Sequence, residues 1–518
     1  MSLLRPALIV GLATAASRLL GFARDVAVAG LLGAGPVADA FLAAVRLPNA
    51  LRRSLGEGAL NAGFVPIYAR LRRQHGSAQA ASFAGHAIVA AGLGLTVLTA
   101  LAMLAASALM LALAPGFAGD PARLAPARTY LMLMLPFVGL ASLASLVGAW
   151  LNAEQRFLAA AAAPATVNAL LLAAYTAIPR WVTGDAAVAG AMAAALALAG
   201  ALQLGVVLAA ARRLPHAFRL LRPPPWRGLA RLLVLGAPGL VASASAQMLV
   251  LVAAGVASAE AGAVSWLYYA DRLFQLPLSF AGVAAGTVLL ADMAGAAGPA
   301  VRRGGDGRDP LNAPLEAALA LALPAAVALA VLAEPIVRIL FQRGAFAAGD
   351  TAGTAAALAG LAAGLPCGVV TKVLLQPFFA RELAVLPLVT GLAALAVTWL
   401  AALFLAGPLG VAGLAAAVTA GLAVQAVLLG GILAARHWWR PDGVLAGRFA
   451  GLLAASAVMG LVVAALARWG APALAAESLL LRAAALAGLC LTGLAVYAVA
   501  ALAFGGIDRR VLARRRAA

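Results

Sequence analysis

The chain has few of the charged residues that keep soluble proteins in water. Only 11% of its 518 residues are charged, and it has one lysine, Lys372. It has just two cysteines, Cys367 and Cys490, and both lie in apolar stretches, so the sequence indicates neither a disulfide framework nor a metal site. No stretch has the length and polarity of a soluble domain, which leaves a membrane protein with short loops as the expected class.

Catalytic motifs are also missing from the sequence. The four histidines, His75, His86, His216 and His437, are scattered and mostly fall at loops. The sequence has no paired intramembrane carboxylates, no G-x-S-x-G motif and no Walker-type loop. We therefore expect no enzyme activity and no cofactor, and any transport would run on an ion gradient, the membrane potential or substrate asymmetry.

Long apolar runs occupy most of the chain instead. Hydrophobic residues make up 64% of it, and the mean hydropathy is +1.01. Breaks at turn and charge clusters predict an all-α polytopic membrane protein with about 14 transmembrane helices. The predicted spans are 6–32, 38–66, 82–115, 124–151, 158–180, 185–211, 230–257, 263–291, 312–341, 350–380, 383–406, 409–435, 443–468 and 478–504.

The net charge of +19 comes from arginines that cluster in the short turns between spans. The positive-inside rule predicts this distribution, so we expect no nucleic-acid partner. The strongest cytoplasmic markers are 70–74, 212–231 and the basic tail at 508–518. An even number of spans then places both termini in the cytoplasm. No A-x-A-like cleavage site follows the first apolar run, which indicates a retained helix rather than a signal peptide.

Charged residues also lie inside predicted spans. A charge at the bilayer centre costs at least ~2.5–3.5 kcal/mol, so we expect these side chains to face one another or a water-filled cavity. Residues seven apart share a helix face, and the spacing gives each of the first two spans a polar stripe. The first two spans contain Arg18, Arg24, Asp25, Asp39, Arg46, Arg52, Arg53 and Glu57, and the eighth adds Asp271 and Arg272.

The positive excess among these residues predicts an anion site. Arginine forks suit phosphate oxygens, so the candidates to hold an anion are Arg18, Arg24, Arg52 and Arg272. A substrate with phosphate or several carboxylates would fit.

An alternative is that some of these charges only pair with one another and hold helices together. It fits Arg53, Glu57 and Asp271 best, because charges of opposite sign lie close to them in sequence. Arg46 fits either interpretation. Lys372 either extends toward the cytoplasmic interface or contributes to the wall of the second half.

The stretch from Ser17 to Tyr68, "SRLLGFARDVAVAGLLGAGPVADAFLAAVRLPNALRRSLGEGALNAGFVPIY", resembles the N-terminal signature of the MurJ/MviN family, the lipid II flippases of bacterial cell-wall synthesis. Further resemblance lies in "LNAEQRF" with Pro164 and Asn168, in "YYADRLFQLP", and in "LFQRGAFAAGDTAGTAAAL" through "KVLLQPFFARE". These motifs run in family order across most of the chain.

The resemblance implies the fold of the MOP exporter superfamily with a central cationic cavity and alternating access. It implies one six-helix bundle at 1–223, a second at 224–440, and two further helices with a basic tail at 441–518. Spans thirteen and fourteen would form the groove for the undecaprenyl tail. The location would be the bacterial cytoplasmic membrane, with lipid II, membrane lipids and cell-wall synthesis proteins as partners.

The resemblance also implies roles for single residues. The pyrophosphate and sugar-peptide headgroup of lipid II would be bound on its way to the periplasmic leaflet by Arg18, Arg24, Arg52 and Arg272, with Ser17 and Asp25 beside them.

Other functions are compatible with parts of the sequence. An exporter of another polyprenyl-linked oligosaccharide or of a drug would share the superfamily, but multidrug members usually have twelve spans. A polyprenyl-phosphate glycosyltransferase would need an acidic cluster near a membrane face, which we do not find. A scaffold without transport would leave the buried positive charge unexplained.

Two further expectations concern gating and energy. Arg24 and Asp39 lie at the same depth near one end of the spans, and Glu57 and Arg381 lie at the same depth near the other end. Each pair of opposite charges is expected to hold one side of the protein closed.

We expect no sodium site, because span seven lacks Asp, Glu and Asn, and spans eleven and twelve have only Glu382 at a boundary. The membrane potential, worth ~2.3 kcal/mol per charge per 100 mV, would then drive transport.

Overall fold

The computed structural model describes residues 4–215, 231–232, 248–293, 309–381, 383 and 385–507; for 4–10, 57–59, 62 and 281–293 it describes the backbone only. Within these ranges the secondary structure is helical, and eight helices are long and apolar enough to cross a membrane, or nine when one bent pair is included. The predicted all-α polytopic fold is therefore confirmed. In the bilayer a helix satisfies its own backbone hydrogen bonds, which explains why the apolar runs within these ranges are helical.

The chain forms two compact units. One comprises Met1–Ser265 with Arg343–Phe346, and the other Trp266–Gln342 with Ala347–Ala518. The predicted boundary at 223 lies outside the described residues, and the domain limits remain predictions.

The described part of the first unit contains eight α-helices and the start of a ninth. They are α1 (Leu4–Leu32), α2 (Pro36–Arg52), α3 (Asn61–Leu104), α4 (Ala106–Leu113), α5 (Pro121–Ala153), α6 (Phe157–Ala177), α7 (Asp185–Ala211), α8 (Met248–Ala257) and α9 (Ala263–Met293). Helix α5 packs against α2, α3 and α7, and α1 packs along α6.

In the second unit, the ranges that the structure describes contain the rest of α9 and eight further helices. They are α10 (Asn312–Val331), α11 (Ala333–Phe341), α12 (Ala348–Ala362), α13 (Leu365–Ala380), α14 (Val385–Ala435), α15 (Gly443–Trp469), α16 (Ala471–Leu474) and α17 (Leu479–Ala503). Helix α15 packs on α10 and α17, and α14 packs on α12 and α13.

The structure departs from the predicted spans where helices continue through predicted breaks. The basic segment 70–74, expected to be a loop, is helical within α3, which changes direction at Gly76 with φ of 82°. Helix α14 has 51 residues, about 77 Å at 1.5 Å per residue, and breaks at Gly410 with φ of 55°. Each is longer than a bilayer is thick. In α3 the glycine lies between the predicted spans 38–66 and 82–115, and in α14 it lies next to the predicted break between 383–406 and 409–435.

A π-helical segment, Arg53–Leu60, joins α2 to α3 inside the predicted second span. It follows Pro48, which removes a backbone donor from α2. Gly56 faces Ser145 on α5, where an added Cβ would lie 3.0 Å from the hydroxyl. The chain between α2 and α3 therefore forms a wider helical turn, a feature common near functional sites.

Each unit has its own apolar core. In the first, Phe64 stacks on Tyr68 and Phe83 at centroid distances of 5.4 and 5.8 Å, beside the buried Trp150. In the second, small residues let helices approach closely: a Cβ on Gly460 would lie 2.5 Å from Val327.

The α4–α5 connection is fixed by polar contacts. The Gly116 amide donates to the Ser258 hydroxyl at 2.8 Å, and Arg123 donates to the Ser258 carbonyl at 3.2 Å. Asp120 caps α5 by accepting from the Ala122 and Arg123 amides. The side-chain hydrogen bond from Arg123 lowers the pKa of Asp120, which stabilises its charged form.

A Cβ at Gly116 would lie 2.4 Å from both the Ser258 carbonyl carbon and the Ala259 nitrogen. Because both contacts are backbone, we expect Gly116→Ala to destabilise the protein by roughly 1–3 kcal/mol through overpacking. Thermal unfolding of the purified protein in detergent measures this. Gly119→Ala in the same turn is the control, since nothing lies within 4 Å of its Cβ position. Equal midpoints for the two variants would contradict the close packing.

Candidate functional site

Arg24 lies on α1 with its side chain 17% exposed and its guanidinium held on two sides. Nε and Nη2 donate to Oδ1 of Asp25 at 3.1 and 2.6 Å, and Nη1 donates to Oδ1 of Asn168 at 3.1 Å. Asp25 itself is buried. The guanidinium is therefore fixed in direction but still partly open, as a binding group requires.

Asn168 on α6 connects this pair to Ser17. Its amide donates to the Ser17 carbonyl at 2.9 Å and to the Ser17 hydroxyl at 3.3 Å. Gly21 makes room for the amide, because a Cβ there would lie 3.3 Å from Nδ2. The sequence indicated Asn168 only as part of a motif. Its contacts with Arg24 and Ser17 could not be predicted, because they depend on the packing of α1 against α6.

The other arginines of the first two spans sit in different surroundings. Arg18 is exposed on α1, while Arg52 and Arg53 are half-buried where α2 meets the π-helical segment. The Glu57 side chain lies outside the described residues, so the predicted latch between Glu57 and Arg381 is not described.

Asp39 is completely buried near the start of α2 and receives three hydrogen bonds from the start of α9. The Gly262 amide donates at 2.6 Å, the Ser265 amide at 2.9 Å and the Ser265 hydroxyl at 2.6 Å. Its carboxylate thus caps the N-terminus of a helix on another part of the chain. Sequence reasoning assigned Arg24 as its partner and could not anticipate backbone donors.

Arg46, seven residues further along α2, contacts the same part of the chain. Its guanidinium donates to the Val250 carbonyl at 3.3 Å and to the Val264 carbonyl at 3.0 Å. Of the two interpretations left open for Arg46, these contacts favour helix packing over anion binding.

In the second unit, Asp271 and Arg272 sit on α9 with neighbours one turn away. Asp271 is buried and accepts from Gln275 at 2.5 Å. Arg272 donates to the Tyr268 hydroxyl at 3.0 Å and lies 4.6 Å above that ring. The tyrosine orients the guanidinium by a hydrogen bond and a cation–π contact without neutralising its charge.

Two cations of α13 differ in surroundings. Lys372 donates to the Leu278 carbonyl at 3.3 Å, which brings it to α9 near Pro277. Arg381 at the end of α13 donates to the Pro377 carbonyl at 3.0 Å and lies 4.4 Å above the Trp438 ring.

Possible cation ligands in the predicted spans eleven and twelve are hydroxyls and an amide. Thr390, Thr398 and Gln425 are buried in α14, and the Thr390 hydroxyl donates to the Pro387 carbonyl at 3.1 Å. Within the described ranges, no three His, Cys, Asp or Glu side chains group as metal ligands. Most of predicted span seven lies outside those ranges, so the absence of a sodium site stays a prediction.

Comparison with known sequences identifies the family. The family model for lipid II flippase MurJ matches residues 28–484. A Rhizobium meliloti (strain 1021) protein named "Probable lipid II flippase MurJ" is 37% identical over 531 residues, covering 99% of this chain and 96% of that protein. Lipid II flippase MurJ of Burkholderia cenocepacia is 31% identical, with 90% of each chain covered.

Solved structures show the same architecture. A structure of lipid II flippase MurJ in an inward closed conformation is similar with a TM-score of 0.77 at 20% identity, covering 98% of this chain and 99% of that one. An inward-facing MATE multidrug transporter of the MOP superfamily reaches a TM-score of 0.63 at 17% identity, covering 82% and 94%. At these identities the structures show the fold, and the sequence matches show the family. The chain belongs to the MurJ family of lipid II flippases.

Proposed function

We propose that this protein moves lipid II from the cytoplasmic to the periplasmic leaflet of the bacterial cytoplasmic membrane by alternating access. The headgroup pyrophosphate is bound by arginines of α1, α2 and α9, and both chain termini lie in the cytoplasm. The product supplies peptidoglycan synthesis, and cell-wall synthesis proteins act next to it.

The arrangement of Arg24 is the observation that carries this proposal. A charge inside a span is costly, and Asp25 and Asn168 hold this one in a fixed direction while leaving it partly exposed. Arg272 is similarly oriented by Tyr268, a neutral partner. The first two spans contain five arginines and three carboxylates, so a doubly charged pyrophosphate complements their formal excess.

The driving force in this proposal is the membrane potential. The cationic binding region opens first to one membrane face and then to the other, so charge moves through the transmembrane electric field. Each elementary charge that crosses a potential of 100 mV changes the free energy by ~2.3 kcal/mol. Lipid II flipping in sealed vesicles at zero sodium gradient is expected to stop when an ionophore collapses the potential. Strict dependence on a sodium gradient at zero potential would refute it.

The headgroup site is tested by substitution of Arg24 and of the residue that orients it. Arg24→Ala should abolish complementation of a flippase-depleted bacterium. Asn168→Ala should weaken lipid II binding by roughly two- to tenfold, because the Arg24 guanidinium loses a partner that fixes its direction and must be ordered on binding. Binding is measured on purified protein, and expression and thermal unfolding confirm folding.

Two matched controls accompany these variants. Arg128→Ala removes an exposed arginine from the same unit, and Thr176→Ala removes an exposed α6 hydroxyl that bonds only to its own helix. Both should behave as wild type. If Arg24→Ala complements normally at wild-type expression, Arg24 does not bind the headgroup.

We further propose that the contact of Asp39 with Gly262 and Ser265 is a latch that must open during transport. Asp39 Oδ1 and the Ser265 hydroxyl are 2.6 Å apart, which makes these two positions the pair to test by disulfide crosslinking. In a background without Cys367 and Cys490, Asp39→Cys with Ser265→Cys should crosslink, and flipping should be lower when oxidised than after reduction.

A second cysteine pair separates a latch from a static contact. Gly148 on α5 and Ala160 on α6 provide this control, because a Cβ at position 148 would lie 3.5 Å from the Ala160 Cβ, which is within disulfide range. A crosslink there should leave flipping unchanged by oxidation. Equal activity of the oxidised and reduced Asp39–Ser265 pair would show that this contact stays closed throughout the cycle. The 24/39 and 57/381 cysteine pairs remain the test of the predicted charge latches.

A further inference from the structure

A cleft of about 480 Å³ opens in the second unit where α15 ends. It is bordered by α11, by the last turns of α15 and by α16. Most of its lining is apolar, including Val331, Ala464 and Leu474. None of the residues assigned to headgroup binding or gating borders it.

Three charged side chains line this cleft. Arg338 forms an ion pair with Glu334 one turn earlier on α11, and the two side chains are 32% and 59% exposed. Arg468 lies in the last turn of α15, is exposed, and makes no side-chain hydrogen bond or ion pair with the described residues. Two guanidinium groups against one carboxylate give the cleft a positive excess and donors for an anion.

The cleft lies at the level of a membrane surface. Trp469 follows Arg468 at the end of an apolar 27-residue helix and is 85% exposed, as expected for an aromatic side chain in the headgroup region. Leu461 is seven residues before Arg468, on the same face of α15, and is 73% exposed. An apolar, exposed strip therefore leads from the charged cleft toward the interior of the bilayer.

We infer that this cleft binds an anionic phospholipid. The phosphate contacts Arg338 and Arg468, and an acyl chain follows the α15 face that carries Leu461. Glu334 limits the affinity, because it competes with the phosphate for Arg338. The apolar strip distinguishes a lipid from a free phosphate ion, which would gain nothing from it.

Native mass spectrometry of the full chain in detergent tests this inference. With phosphatidylglycerol and phosphatidylcholine as probes, the wild type should retain the anionic lipid preferentially. An arginine near anionic lipid contributes about 1 kcal/mol, or about fivefold in affinity. Arg468→Gln should therefore weaken phosphatidylglycerol binding about fivefold, and Arg338→Gln combined with Arg468→Gln should weaken it further. Glu334→Gln should strengthen binding, an effect that misfolding would not produce.

The chain offers a matched control in Arg180. It is exposed and precedes Trp181, which is 85% exposed like Trp469, but it lies in the first unit. Arg180→Gln should leave phosphatidylglycerol retention unchanged. If Arg180→Gln and Arg468→Gln lowered phosphatidylglycerol retention equally, the effect would come from general surface charge, and the proposed site would be wrong. Displacement of the lipid by millimolar inorganic phosphate would assign the cleft to a free anion instead.

Discussion

The cost of placing charge inside a bilayer is the constraint on which this structure depends. Asp39 is fully buried, and its carboxylate is satisfied by two backbone amides and one hydroxyl at the start of α9. Arg46 on the same helix donates to two backbone carbonyls, of Val250 and Val264. Two opposite charges of α2 are thus satisfied by one stretch, 248–265, mostly through its main-chain groups. In this conformation these charges hold the stretch against α2, although their sequence pattern resembles that of a binding site.

Arg24 and Arg272 represent a second kind of intramembrane charge. Side chains orient them, Asp25 and Asn168 for Arg24 and Tyr268 for Arg272, rather than backbone groups. A guanidinium has five donors in a fixed planar fork, so a few side-chain contacts are enough to set its direction. Such a group is preorganised at little further entropic cost, which is what a site for a bulky, flexible headgroup needs. The distinction between the two kinds lies in the partners, and charge spacing does not reveal it.

The sequence predicted the helical runs of the described residues well, because hydrophobic length is a one-dimensional property that the bilayer thickness fixes; the number of about 14 spans stays a prediction. It placed breaks near Gly76 and Gly410 but did not predict that helices continue through them, since a helical connection depends on how its ends pack. The π-helical turn after Pro48 was also missed, because a wider turn follows from its contact with α5. The donors to Asp39 could not be predicted, since backbone amides carry no sequence signature.

The way Asp39 is satisfied also constrains any motion of α9. Moving the helix start away leaves a carboxylate and the amides of Gly262 and Ser265 without partners, and each unpaired buried group costs about 1–3 kcal/mol, more for the charge. An arginine partner would be needed at the same depth, or water must enter. A conformation that separates these groups is therefore stable only if such an arginine or water reaches Asp39. If water is the new partner, the protein is then open to that membrane face, and under the proposed alternating-access cycle this contact would link conformation to solvent access.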